Sequence, residues 1–286
     1  VEKIFLLSDS LTYPFYGLRI KNLLEKHHFK TCSYVIEEGE QSKSIETVEK
    51  IWKFLFLSKA DKSTLFINLG GGEICDLGGF VASTYYRGLP LINIPTTLLA
   101  MVDASIGGKN GVNTSLAKNS VGNFYLPKKI YLDPSFLLTL KETELSNGLA
   151  EVVKYGFIKS PQILDSLEKN RTLVLKKDLT LLKEIILDCS QIKLEITQSD
   201  MYEVKGERAL LNFGHTFAHA IETESQYKLF SHGQAVSMGM CCAIVLSQQL
   251  GYCQHELLQR AENLLEQCGL PTKLPNFNLS RLINLM

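Results

Sequence analysis

The sequence predicts an α/β unit built on a parallel sheet over residues 1–138, followed by an all-α unit over residues 139–286. Three observations carry that prediction. In the first half, short apolar runs alternate with amphipathic stretches, the rhythm of βα units. One of those runs passes straight into three consecutive glycines, the punctuation of a strand, a turn and a helix. Beyond about Glu142 the strand signals fade, and apolar residues recur at the spacing of one helix face.

Taken in order, Ile4–Leu7, Ser33–Ile36, Leu65–Leu69 and Leu91–Ile94 read as strands, with Lys129–Asp133 as the last before Pro134. Tyr16–His27 and Ile45–Leu57 supply the amphipathic cover between them. In the second half Leu145–Ile158, Leu179–Thr197, Leu211–Glu222, Ala235–Leu250 and Glu256–Gln267 read as helices, so the boundary is placed near Thr139. No internal repeat or low-complexity tract interrupts the chain.

Composition narrows the function. With 286 residues, 45% hydrophobic and 21% charged, the chain can bury a large core. Thirty basic residues balance thirty acidic ones with no run of one sign, so the footprint of a nucleic-acid binder is absent and small-molecule chemistry is expected. Seven cysteines without a Cys-x-x-Cys pair argue against a disulfide framework or zinc ribbon and for reduced thiols in a cytoplasmic protein. Leu89–Val102 is uncharged but broken by Pro90 and Pro95, and Ala235–Leu250 is shorter than the roughly 20 residues a bilayer span needs. Both read as buried core, so no membrane is expected. Glu2, Lys3, Asp9 and Pro14 interrupt any signal-like apolar run, and Val1 in place of Met points to a start further upstream.

Three clusters carry chemistry. Gly70, Gly71 and Gly72 open the string GGGEICDLGGF, where glycines let backbone N–H groups approach a phosphate at a helix N-terminus. The spacing is not that of the common dinucleotide fingerprint, and a tight βα turn without a ligand fits equally well. The second cluster, PTTLLAMVDASIGGKNGVN, joins Thr96, Thr97, Asp103, three glycines and Lys109, with Lys118 and Asn119 close behind. Cations among glycines and apolar residues favour a phosphate or carboxylate, the alternative being a solvated loop with a surface lysine. In the helical half stand Glu151 and Lys154, then His215 and His219 four apart on one helix face, then His232. Imidazoles with a carboxylate are the ligand set of a catalytic zinc that keeps an open position; taken singly, each histidine also reads as a core or capping residue.

The strings GGGEICDLGGFVAS, YYRG, PTTLLAMVDASIGGKNGVN, AKNSVGNF, GLAEVVKYG, LNFGHTFAHAIE and SHGQAV resemble 3-dehydroquinate synthases in order and spacing from about Gly39 to Met240. The resemblance implies a Rossmann-like NAD domain, a helical metal domain, an active site in the cleft between them, and a homodimer. It implies that Glu151, His215 and His232 hold zinc or cobalt, with His219 contacting substrate instead. It assigns NAD to Glu40, Lys43, the Gly70–Gly72 turn, Asp76, Thr96, Thr97, Lys109, Lys118 and Thr139. Substrate falls to Asp103, Lys109, Asn119, Lys154, Lys193, Arg208, Asn212 and His219, with Arg87 reaching across the dimer.

The implied reaction converts 3-deoxy-D-arabino-heptulosonate 7-phosphate to 3-dehydroquinate and phosphate in the shikimate pathway to chorismate and the aromatic amino acids. NAD oxidises the substrate, phosphate is eliminated, the ketone is reduced back, and an aldol closure forms the ring. Ala218 and Gln234 stand where the family has Gly and Glu, and Gln234 is expected to lower metal affinity. Leu11 takes the place of a polar partner beside Asp9. The chain is expected to be truncated, because Met286 falls before the family's Asp-Lys-Lys segment. Three rivals remain: a metal-dependent polyol dehydrogenase, a cyclase for a sugar phosphate without a carboxylate, and a non-catalytic scaffold that binds NAD.

Overall fold

Strands that are apolar along their whole length need cover on both faces, and the first half of the chain provides it. The computed structural model describes residues 2–115 and 117–286, which fall into two compact units, Val1–Phe136 and Leu137–Met286.

In the first unit the strands are β1 (Lys3–Asp9), β2 (Lys30–Ile36), β3 (Leu65–Gly70), β4 (Leu91–Pro95), β5 (Lys109–Val112), β6 (Val121–Phe124) and β7 (Lys129–Ile130). Five of them form a parallel sheet in the order β2-β1-β3-β4-β7, while β5 and β6 pair as a separate antiparallel ribbon. Alternation along β1 sends Phe5 and Leu7 to one face, where they join Phe66 and Leu91, and Ile4 and Leu6 to the other, with Ile67 and Leu69. The first face is covered by α2 (Ile45–Leu57) through Val48, Ile51 and Leu55, and by α3 (Gly72–Thr84) through Ile74, Leu77 and Val81. Tyr13, Tyr16 and residues Ile20 and Leu24 of α1 (Leu18–Lys26) cover the second. The chain builds outward from β1 to β2, then returns past it to β3. That reversal opens a crevice at the carboxyl ends of β1 and β3, the usual ligand position in such sheets, and Asp9 and Gly70 end those two strands.

The second unit is helical: α4 (Glu142–Ile158), α5 (Pro161–Leu175), α6 (Leu179–Ser199), α7 (His215–Glu224), α8 (His232–Gln249), α9 (His255–Gln267) and α10 (Leu279–Asn284). Helix α4 is the hub, packed by α5, α6, α8 and α9. Its run from Asn147 to Gly156 is buried without a break, as a helix surrounded on all sides must be. Glu142 and Glu144 in its first turn oppose the helix dipole favourably. Among the described residues no helix is long and apolar enough to cross a membrane.

Several elements depart from the sequence expectation. The stretch Leu211–Glu222 is not one helix: a 3-10 turn over Glu207–Asn212 ends before Gly214, whose φ of +79° breaks the run, and α7 begins at His215. Helix α8 starts three residues earlier than the apolar periodicity suggested, because Ser231 and Gln234 form a capping box. The last strand of the sheet spans only Lys129–Ile130, and α5, α10 and the β5–β6 ribbon were not foreseen.

Candidate metal centre and glycine cradle

Helix α4 presents Asn147 and Glu151 on one face, four residues apart. Asn147 Oδ1 accepts from Gly233 N at 2.5 Å, which fixes the start of α8 against that face. Only glycine fits there, since a Cβ at Gly233 would lie 2.3 Å from the Asn147 carbonyl oxygen. His232 therefore arrives beside Glu151. The other histidine is delivered by a second close approach: a Cβ on Gly239 would stand 2.1 Å from Gly214 O, and one on Gly214 would stand 2.8 Å from Met240 N. With α7 and α8 in backbone contact, the rings of His215 and His232 come to 5.4 Å.

His215 Nε2 lies 3.5 Å and His232 Nε2 3.6 Å from the same oxygen, Glu151 Oε1. The opposite ring nitrogens are engaged elsewhere. His215 Nδ1 faces Phe213 O at 3.2 Å, and His232 Nδ1 faces Glu222 Oε1 at 3.3 Å. Lys154, three residues along α4, pairs with Glu151 Oε2. The three ligand atoms lie within 4.8 Å of one another. Two imidazoles and one carboxylate, with each imidazole's far nitrogen held by an oxygen, is a donor set that fits a zinc-type ion with an open position. Glu151 is fully buried, while the His232 side chain keeps 32% of its surface, so the cluster has one open side.

The electrostatics follow from that crowding. Burial opposes charge on His232, but its hydrogen bonds to Glu151 and Glu222 and their fields outweigh it and lift its pKa to about 10. His215 goes the other way: burial dominates, Lys154 and His232 add to it, and its pKa falls to about 4. His232 therefore takes up a proton more readily than His215 does.

The remaining candidates of this unit lie around these ligands in sequence but are not part of the cluster. The His219 ring is 5.6 Å from that of His215 on α7, yet it stands outside the group of ligand atoms. Asn212 is exposed at the end of the 3-10 turn. Lys193 on α6 and Arg208 are both buried rather than surface cations. Arg208 is held by Glu203 at 3.3 Å and by Met201 O at 2.8 Å. Thr139 falls in this unit, at the end of the turn Pro134–Thr139.

In the first unit the candidates form a network around the glycine turn. Gly71 caps α3 and no side chain caps the first turn, which leaves its N–H groups to an anion. The glycines serve close approach rather than positive φ: a Cβ on Gly71 would meet Thr97 at 3.3 Å, and one on Gly72 would meet Ala104 at 3.1 Å. Thr96 N donates to Gly70 O at 2.9 Å. Lys43 and Asp76 form a largely buried ion pair at 2.5 Å. Glu40 receives Asn113 Nδ2 at 2.7 Å and Lys118 at 3.5 Å. Asn119, at φ +50°, donates its N–H to Asn113. Burial and the charge of Glu40 raise Glu73 to about 7. Asp103 lies in the turn Ala100–Ala104, and Lys109 is exposed at the start of β5. Asp9 closes its own turn, accepting from Leu11 N and Thr12 N. Arg87 is exposed in a turn where Tyr86 and Arg87 both take left-handed φ.

Two residues that shape the metal cluster were missed in the sequence. Glu222 ends the string LNFGHTFAHAIE, two helical turns after His215, and that spacing was its only signal. Asn147 acts on a residue 86 positions away and gave none.

The comparisons with known proteins identify the family. The 3-dehydroquinate synthase N-terminal model matches residues 33–147 and the C-terminal model residues 148–286. A 3-dehydroquinate synthase of Desulforamulus reducens is 43% identical over 96% of this chain and 76% of its own, and one of Nitrosospira multiformis is 39% identical over 100% and 78%. Among solved structures, a 2-epi-5-epi-valiolone synthase of Streptomyces hygroscopicus with NAD+ and Zn2+ bound superposes with a TM-score of 0.93 at 29% identity, covering 100% of this chain and 80% of that one. The chain belongs to the 3-dehydroquinate synthase family.

Proposed function

We propose that this chain converts 3-deoxy-D-arabino-heptulosonate 7-phosphate to 3-dehydroquinate and phosphate, using NAD and a divalent ion. The observation that carries this reading is the convergence of Glu151, His215 and His232 in a member of this family. Those three residues would hold zinc or cobalt. The Gly70–Gly72 turn, Glu40, Lys43, Asp76, Thr96, Thr97, Lys109, Lys118 and Thr139 would hold NAD. When bound, the ion supplies a Lewis acid for the substrate's hydroxyls, and NAD a hydride acceptor that returns what it takes.

The chain's own residues do the rest. Lys154 pairs with Glu151 Oε2 from within α4, which leaves Oε1 toward both histidines. Phe213 O and Glu222 hold the far nitrogens and so aim Nε2 of each ring inward. Lys193 and Arg208 add buried positive charge to the unit that carries the ligands, which suits a substrate with both a carboxylate and a phosphate. His219, beside His215 and exposed, would donate to the departing phosphate. Asp103, Asn119 and Asn212 supply hydrogen-bonding contacts to the substrate. The reading includes a cytoplasmic homodimer in which Arg87 reaches the neighbouring site.

Incubation with NAD, Zn2+ and the heptulosonate phosphate tests this. Phosphate should be released while NADH absorbance stays flat, since the cofactor is regenerated on the same intermediate. Stoichiometric NADH with little phosphate would hand the chain to the polyol dehydrogenases. Equal turnover of a neutral heptulose phosphate would overturn the substrate but leave the fold and metal site standing.

A further inference from the structure

Two central strands of the sheet, LFINLG and LINIP, are each interrupted once by a polar residue, Asn68 and Asn93. They stand directly opposite each other in the parallel register, on the face that α3 covers, and are 0% and 3% exposed. An aliphatic residue at either place would complete the apolar row, so the amides need a separate reason. Their hydrogen bonds supply one. Asn68 Nδ2 donates to Asn93 Oδ1 at 2.9 Å and to Cys75 O at 3.3 Å, and Asn93 Nδ2 donates to Ser105 O at 3.1 Å. A continuous line therefore runs from α3, through two strands, to the segment after the turn Ala100–Ala104.

Those two ends carry chemistry-bearing residues. Cys75 precedes Asp76 and lies one turn beyond the Gly70–Gly72 cradle, and Ser105 sits between Asp103 and Lys109. The helix is shaped to receive the amides. A Cβ on Gly78 would fall 1.8 Å from Asn68 Oδ1, and one on Gly79 would fall 1.7 Å from Oδ1 of Asn110 in β5. Asn110 is itself anchored to Gly108 O at 2.8 Å and Tyr125 O at 3.0 Å. Helix α3 is thus gripped between two side-chain amides at consecutive glycines. Asn68 Oδ1, wholly buried, has no hydrogen-bond partner, a local cost that a strand selected for stability alone would avoid.

We infer that Asn68 and Asn93 are positioning residues: a clamp that fixes the spacing between the glycine cradle and the Asp103–Lys109 segment, and so holds the cofactor and substrate contacts of this unit in register. The functional half of this inference rests on the reading given above. The clamp itself does not.

The test is the double variant Asn68→Val/Asn93→Val, which replaces both amides with apolar groups of similar size and so leaves the core packed. Thermal unfolding should move little. Amide hydrogen exchange should rise together in residues 70–76 and 103–109, and the NAD dissociation constant should rise about tenfold, the equivalent of roughly one net hydrogen bond. Wild-type exchange in both segments with unchanged NAD affinity would make the pair a packing feature and overturn the clamp. If that variant fails to fold, Gly78→Ala, which pushes Asn68 aside, should raise exchange in the same two segments. Adding Asn68→Ala should then restore stability without restoring NAD affinity. Gly78→Ala with wild-type exchange and NAD affinity also overturns the proposal. A wild-type chain that binds no NAD would sink the cofactor reading, while the exchange measurement would still decide the clamp.

Discussion

Glu151 and Lys154 sit three residues apart on one buried helix, whereas Lys43 and Asp76 are 33 residues apart and meet at 2.5 Å from a loop and a helix. Both are ion pairs with little access to water, but their surroundings differ. Around Glu151 two further ring nitrogens point at one oxygen, so three donor atoms converge on a spot that suits an ion. Around the glycine cradle the charges pair off, Lys43 with Asp76 and Lys118 with Glu40, leaving backbone N–H groups to meet an anion. The contrast teaches what to look for: converging donor atoms suit an ion, and paired-off charge beside uncapped N–H groups suits a phosphate.

The comparison breaks hardest at Glu151. Glu151→Ala removes the only carboxylate among the three ligands and strands Lys154 inside α4, which should cost about 3–5 kcal/mol of stability. Zinc retention should be lost with it. Thermal unfolding and metal content after dialysis measure both, and a variant that keeps its zinc would move the site elsewhere. Asp76→Ala should cost less, about 1–3 kcal/mol, because Asp76 is 24% exposed and water reaches its place. Its metal content should stay at the wild-type level. Loss of zinc in that variant would mean the two regions are coupled.

How much of this was legible depended on range. Helices α2 and α9 announced themselves by strong local periodicity, α4, α6 and α8 by long apolar stretches, and strands β1, β3 and β4 by short apolar runs. Helix α5 did not, since polar residues break its face and Asn170 kinks it at φ −118°, ψ 18°. The ribbon β5–β6 hid inside a glycine-rich run, and β6 is too exposed to show alternation. The three ligands were read from their short motifs through a family resemblance. Their supports were not, because Asn147 holds Gly233 across 86 residues and Glu222 holds His232 across 10. Gly78 and Gly79 gave no signal of their own within the helix that follows the glycine turn, and what they accommodate is Asn68 and Asn110.

Glu222 sharpens the comparison further, since it exists to hold a ligand rather than to bind one. Glu222→Ala should weaken zinc binding about 10–100-fold by chelator competition, and wild-type affinity would show that the ring needs no such support. The same contact sets a pH dependence. His232 is raised to about 10 in the metal-free protein, above its ordinary 6.5, so its stabilising charge is complete below about 6.5 and lost as pH rises through 10. His215, lowered to about 4, and Glu73, raised to about 7, act in opposite senses below neutrality. His215 gains stability as pH rises there, and Glu73 loses it. Between pH 7 and 8 the slope therefore belongs mainly to His232, and toward pH 9 the thiols of Cys75, Cys189, Cys241 and Cys268, all raised by burial, add to it in the same sense. Metal-free stability should fall across that window, and zinc affinity should rise by up to about tenfold per pH unit as the ion displaces one proton. A flat metal-free profile, or zinc binding without proton release in calorimetry, would remove His232 as the charged group.

The smallest effect is expected at Gln234, where the sequence suggested a neighbour that tunes the metal and the structure shows a cap. Gln234 Oε1 accepts from Ser231 N at 2.9 Å while Gln234 N donates to Ser231 Oγ at 3.4 Å, so the side chain is turned back along α8 rather than toward Glu151. A carboxylate accepts the same bond from Ser231 N, and it adds negative charge at a helix start that has no acidic residue in its first turn. Gln234→Glu should therefore stabilise the protein by about 0.3–1 kcal/mol, seen as an unfolding temperature higher by roughly 1–3 °C. Zinc affinity should change by less than about threefold, because the new charge is spent on the cap rather than on a histidine or the ion. Tenfold tighter zinc binding would show that a carboxylate at this position leaves the cap for the metal, and the division between ligand supports and helix supports in this unit would have to be redrawn.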